Sequence, residues 1–143
     1  DGAGDARDLI VAIRSLRKGR PWFPFLAGPK ISEMWVRMMA YPGNANIVNL
    51  DVLEVAVDVQ VRKVTELLGV TRTVELDLED ARGVIQRAWK RQASDVMAPG
   101  PLNGTAAGLD PALWFMGKWG CTFCQRARTR MPIAPVCERC TFS

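Results

Sequence analysis

At 143 residues the chain is long enough for one domain with a modest core and short for two. Apolar residues make up 48% and charged residues 24%, a globular balance that excludes a disordered chain. No apolar run reaches membrane-spanning length and nothing resembles a signal peptide, so the expectation is an intracellular protein, cytoplasmic or nucleoid, with no membrane partner.

Formal net charge is +4. From Lys118 onward, Lys118, Arg126, Arg128, Arg130 and Arg139 stand against Glu138 alone, which equals the excess of the whole chain. The basic stretch suits a polyanion, most often nucleic acid. A solvated basic loop is the competing reading.

Taken in chain order, the segments between turns have helical spacing. ARDLIVAIRSLRKG places Leu9, Ile13 and Leu16 on one face, with Gly19 as the stop. GPKISEMWVRMMAYPG has Pro29 at a first helical position and Ile31, Trp35 and Met38 at helical spacing, ending at Pro42-Gly43. VDVQVRKVTELLG carries Val57, Val61, Val64 and Leu68 as a stripe, opened by Asp58 and closed by Gly69. LEDARGVIQRAWKRQ repeats the pattern through Ala81, Ile85 and Ala88. The Gly-, Pro-, Ala- and Ser-rich stretch 94–108 reads as a linker or long loop. LDPALWFMGKWG then opens with Asp110 as an N-cap and Pro111 behind it. Neither a strand pair nor an internal repeat is expected. The chain is all-α, with a helical domain over 1–117 and a cysteine-bearing loop over 118–143.

Every cysteine lies in CTFCQRARTRMPIAPVCERC, spaced C-x2-C-x12-C-x2-C at Cys121, Cys124, Cys137 and Cys140. Two close pairs separated by a loop match four-thiolate metal ligation. Two disulfides compete, but the absence of a secretory signal favours a reducing compartment. The chain has no histidine, so a metal site here is all-cysteine. By spacing zinc leads, while an iron–sulfur cluster also takes four thiolates. Either would order the tail.

Two polar positions stand apart. Lys30 follows Gly28-Pro29 at a helix start, where backbone N–H groups can hold a phosphate. The positive end of the helix dipole there favours the neutral amine that nucleophilic attack requires. Asp58 follows the apolar run LEVAV and opens a helix; its carboxylate would accept from backbone N–H groups, stay ionised and face a developing positive charge. Each also has a plain structural reading, a surface lysine and a helix cap.

With the tail, these landmarks resemble in order those of helix-hairpin-helix DNA glycosylases of the endonuclease III type. That family carries a hairpin L-P-G-V-G-x-K-T-A, then V-D-T-H-V opening a helix, then an apolar helix ending in G-x-x-C at an iron–sulfur loop. Gly28-Pro29-Lys30-Ile31-Ser32 resembles the end of the hairpin, Val57-Asp58 the aspartate position, and Gly117-Lys118-Trp119-Gly120-Cys121 the approach to the cluster. The resemblance covers roughly residues 20–140. Leu26 departs from it, standing where the first hairpin glycine usually lies, and Val59-Gln60 replace Thr-His. The loop YPGNANIVNL lengthens the gap from Lys30 to Asp58, an inexpensive insertion. The cysteine spacing differs from the family's C-x6-C-x2-C-x5-C.

The resemblance implies a DNA base-excision glycosylase with AP-lyase activity acting on damaged double-stranded DNA. Lys30 would attack C1′ of the sugar and Asp58 would support the positive charge left as the base departs. Leu26, Ala27, Gly28, Ile31 and Ser32 in the hairpin, with Arg126, Arg128 and Arg130 in the tail, would contact DNA. The cysteines would hold a [4Fe–4S] cluster, with Zn2+ as the alternative. Because only about twenty residues precede the hairpin, the resemblance implies the C-terminal part of such an enzyme, completed by a further segment or a separate N-terminal chain. The alternative from another class is a non-enzymatic all-α nucleic-acid-binding module with a structural zinc.

Overall fold

A computed structural model describes residues 2–16 and 25–120 of the chain. The expected helix stop at Gly19, the four cysteines, and Arg126, Arg128 and Arg130 lie outside them. Among the described residues helices dominate, as the all-α expectation required. These residues fall into two compact units. The first takes 2–16, 25–56 and Gln86–Asp110; the second takes Val57–Ile85 and 111–120.

In the first unit, β1 (Gly4–Asp5) leads directly into α1 (Ala6–Ser15). Asp5 caps α1 by accepting from the N–H groups of Arg7 (2.8 Å) and Asp8 (3.2 Å). Its other carboxylate oxygen accepts from Asn49 Nδ2 at 2.6 Å. β1 pairs in parallel with β2 (Ile47–Val48), Gly4 opposite Ile47. This pair was not expected from the sequence: two residues per strand are too few for an alternation to register.

α1 buries Ala6, Ile10 and Ile13, with Leu9 packed alongside and Leu16 left exposed. α2 (Pro29–Ala40) starts at Pro29 as expected but turns a different face inward. Ser32, Val36 and Ala40 are buried, while of the residues noted at helical spacing Trp35 and Met38 are exposed and Ile31 is half-buried. Small residues let α2 approach α1 closely enough for Arg14 Nε to donate to Ser32 Oγ at 3.1 Å, and a large indole on that face would hold the helices apart.

The stretch 94–108, expected as a linker or long loop, is a loop packed into the core and not a linker. Three 3₁₀ turns, Ala93–Asp95, Gly100–Leu102 and Ala106–Leu109, run through it. Val96, Leu102, Thr105, Ala106 and Ala107 are buried. The Thr105 hydroxyl donates to Leu102 O at 2.8 Å and accepts from Gly108 N–H at 3.2 Å. Gly108 is required for space, since a Cβ would sit 2.7 Å from Ala98 Cβ and 2.8 Å from Leu102 O. Leu102 and Ala107 join Ile10, Val36, Leu50 and Leu53 in one core.

In the second unit, α3 (Val59–Leu67) follows its sequence pattern. Val57, Val61 and Val64 are buried, and Gly69 takes the left-handed conformation (φ 67°) just past its end. Arg62 and Glu66 pair at 3.3 Å, and Glu66 also accepts from the Thr73 hydroxyl at 2.5 Å, tying the following loop to the helix. α4 (Leu78–Arg91) buries Ala81, Ile85 and Ala88 as expected; its residues to Ile85 belong to this unit and the rest to the first. Glu79 and Asp80 in its first turn and Lys90 and Arg91 in its last complement the helix dipole. α5 (Asp110–Phe115) runs into a single π-helical turn, Met116–Gly120.

Candidate functional site

The first unit holds Lys30, the second residue of α2. Phe25, Leu26 and Ala27 form the turn before it; Ala27 is buried and Leu26 packs against the core. Gly28 has extended backbone (φ −68°, ψ 148°), as a residue before proline should. A Cβ there would meet nothing nearer than Phe25 O at 3.7 Å, so neither space nor backbone conformation demands glycine. What Gly28 leaves out is a capping side chain, and the first turn of α2 contains no acid. The positive end of this helix is therefore uncompensated by its own side chains, the arrangement that suits an anion. Ser32 faces inward: its N–H donates to Gly28 O, and its hydroxyl accepts from Arg14 and donates to Pro29 O at 3.4 Å.

Lys30 shares a helix face with Glu33 and Arg37, three and seven residues on. Glu33 accepts from Arg14 Nη2 at 2.8 Å and from Glu54 N–H at 3.2 Å. Burial outweighs both contacts and lifts its carboxyl above the ordinary range. Asp110 accepts from Ala56 N–H at 2.7 Å through Oδ1. Its Oδ2 faces Arg37 Nε at 3.6 Å, beyond hydrogen-bond length, and neither atom has a hydrogen-bond partner among the described residues. Burial pushes the Asp110 carboxyl up to about 7; Ala56 N–H, Arg37 and Lys30 oppose the rise and Glu33 adds to it. Asp110 is thus already helical and spends its carboxylate on a distant backbone group, which corrects its expected role as an N-cap.

These carboxyls hold the buried strap that leads to Asp58. Glu33 binds its Glu54 N–H, Asp110 its Ala56 N–H, and Gln86 Nε2 donates to Val55 O at 3.2 Å. Sequence reasoning missed Glu33 and Arg37 and read Asp110 only as a helix cap. The 30/33/37 spacing was the available signal for two of them; Asp110 had none, because Ala56 lies 54 residues away.

The second unit holds Asp58, the N-cap of α3, whose Oδ1 accepts from Gln60 N–H and Val61 N–H, both at 2.9 Å. The π-helical turn packs on the same helix. Gly117 makes the close approach: a Cβ there would lie 2.7 Å from Gln60 O and 2.8 Å from Gln60 Cβ. Two of the sequence landmarks, Val57-Asp58 and the Gly117 segment, therefore meet in one unit. Lys118 Nζ stands over the rings of Trp114 (4.5 Å) and Trp119 (5.5 Å). No helix among the described residues is long and apolar enough to cross a membrane. Compared with family models, curated proteins and solved structures, the chain matches none.

Proposed function

We propose that the chain is a DNA base-excision glycosylase with AP-lyase activity, or the C-terminal part of one, of the helix-hairpin-helix kind. The observation that carries this reading is the placement of Lys30 behind Gly28-Pro29 in the first turn of α2, a turn that has neither a side-chain cap nor an acid of its own. A sugar–phosphate backbone brought to that end would meet first-turn N–H groups and an amine side by side. Contact through Ala27 would have to be made by backbone, since its side chain is buried; Ser32 brings no free donor, because its hydroxyl is buried and its N–H is given to Gly28 O.

In this reading the nucleotide is flipped from the duplex and its base leaves with the bonding electrons. The Asp58 carboxylate, which accepts from two backbone N–H groups, would support the resulting positive charge on the sugar. The neutral amine of Lys30 attacks C1′; loss of its proton and opening of the sugar give a Schiff base, and β-elimination releases the 3′ phosphate. Cys121, Cys124, Cys137 and Cys140 would hold a [4Fe–4S] cluster or, as the alternative, Zn2+, giving the arginine-bearing loop a fixed shape.

The test is borohydride trapping on duplex DNA containing an abasic site. The complete protein should form a covalent adduct that Lys30→Gln abolishes while DNA binding survives. A complete protein that binds DNA and traps no adduct would leave the binding-module reading in its place.

A further inference from the structure

The residues from Trp114 to Trp119 have a feature that the lysine and aspartate chemistry does not use. Trp114, Phe115 and Trp119 keep 39%, 64% and 57% of their surface exposed. Single exposed apolar residues are ordinary on protein surfaces, but three exposed aromatic residues within six positions, two of them sharing one lysine, are a concentration of the kind that marks contacts. Leu113 on the same segment is buried and Gly117 is seated against Gln60, so the backbone carrying the rings is anchored. The π-helical turn brings Trp119 close enough to Lys118 for its ammonium to stand over both indoles. That cation stands over one face of each indole, a contact favoured by the ring quadrupole.

We propose that Trp114, Phe115 and Trp119 form a stacking surface for unpaired nucleobases, with Lys118 as the phosphate-facing cation beside them. The proposal rests on the nucleic-acid part of the reading above and on none of its Lys30 chemistry. Charge selects the partner: the chain's whole net positive charge is carried from Lys118 onward, so a polyanion is drawn to this end of the sequence. Exposed rings beside a lysine fit a strand whose bases are out of the stack, because every base offers a π-face and every linkage a charge. A paired duplex offers no base faces, so the rings engage single-stranded or locally opened nucleic acid.

The experiment measures binding of the chain to a short labelled single-stranded oligonucleotide and to duplex DNA, across a salt series. Trp119→Ala and Phe115→Ala should each weaken single-strand binding by about 5- to 150-fold, the range of one lost stacking contact. Their log–log salt slopes should stay at the parent value, because no phosphate contact is lost. Lys118→Gln should lower that slope by ~0.7. Trp119→Phe keeps an aromatic face and should retain most of the affinity, which separates stacking from misfolding. Unchanged affinity in both alanine variants, with DNA binding by the parent intact, removes this surface and leaves the wider reading standing. A parent chain that binds neither DNA form removes both. Conversion of a dimer to a monomer by these substitutions, or loss of anionic-vesicle binding in a parent that ignores DNA, would assign the rings to a second copy or to a lipid surface and overturn the proposal.

Discussion

Asp110 shows how a side chain's chemistry can be redirected by where the chain takes it. Its carboxyl is lifted to about 7 chiefly by burial, so the folded state binds its proton more tightly than the unfolded chain, where the value is 3.8. The stability this contributes is complete below about pH 4 and is lost as the pH rises through about 7. Asp110→Asn keeps an acceptor for Ala56 N–H and removes the ionisation. Denaturant unfolding at pH 4, 5.5 and 7 should show the parent losing up to about 4 kcal/mol more than the variant over that interval. Glu33, lifted by burial in the same direction, leaves a smaller residual slope in the variant. Parallel pH curves for the two proteins would mean that folding leaves the proton affinity of the Asp110 carboxyl unchanged. At Asp58 the useful substitution is also Asp→Asn, since asparagine caps a helix about as well as aspartate. If Asp58 is a cap and nothing more, Asp58→Asn costs little in stability or rate. If it supports charge on the sugar, base release falls by the equivalent of ~2.7–4 kcal/mol while α3 stays folded.

At the scale of elements, the contact of α3 with the 116–120 turn depends on a missing side chain. Gly117→Ala would place a Cβ against the backbone oxygen of Gln60, an atom that cannot swing away. The substitution should destabilise the second unit by ~1–3 kcal/mol, the usual range for overpacking. Hydrogen exchange should show the loss in Val61–Leu67 and not in α1. Protection lost equally from α1 would mean that the effect is not local to this contact. How well elements were legible in the sequence follows from how one-sided they are. α3 and α4 each carry one apolar stripe, and Val61, Val64, Ala81 and Ile85 are buried where periodicity put them. α2 is apolar on more than one side, so Ile31/Trp35/Met38 and Ser32/Val36/Ala40 both satisfy helical spacing. Close approach to α1 selected the face with small residues. In 94–108 the same preference for small residues has the opposite appearance: Gly108 and the Ala106–Ala107 pair look like a linker in composition and serve as close-packing positions.

For the molecule as a whole, the distribution of charge and cysteine makes two predictions. The protein should purify with one metal centre bound by its four cysteines. Broad visible absorbance would identify an iron–sulfur cluster, and a colourless metal-loaded protein would identify zinc. Two disulfides and no metal would reverse this assignment. DNA affinity should fall steeply with salt, and replacing Arg126, Arg128 and Arg130 by Ala should flatten the log–log slope by up to roughly 2.7, at 0.9 per phosphate contact. An unchanged slope would make those arginines a solvated loop.

The sequence by itself determined the features that depend on near neighbours. These include the helix start at Pro29, the cap at Asp58, the left-handed stop at Gly69, and the stripes of α3 and α4. Each is fixed within one or two turns of chain, where spacing and capping chemistry act directly. The tertiary structure decided what depends on partners far along the chain. It chose the buried face of α2, joined Glu33 to Glu54 and Asp110 to Ala56, and seated Gly117 on Gln60. A carboxylate about one helical turn from a lysine reads the same in sequence whether it meets water or a buried backbone N–H. Burial alone separates the two, and burial is a property of the packed fold.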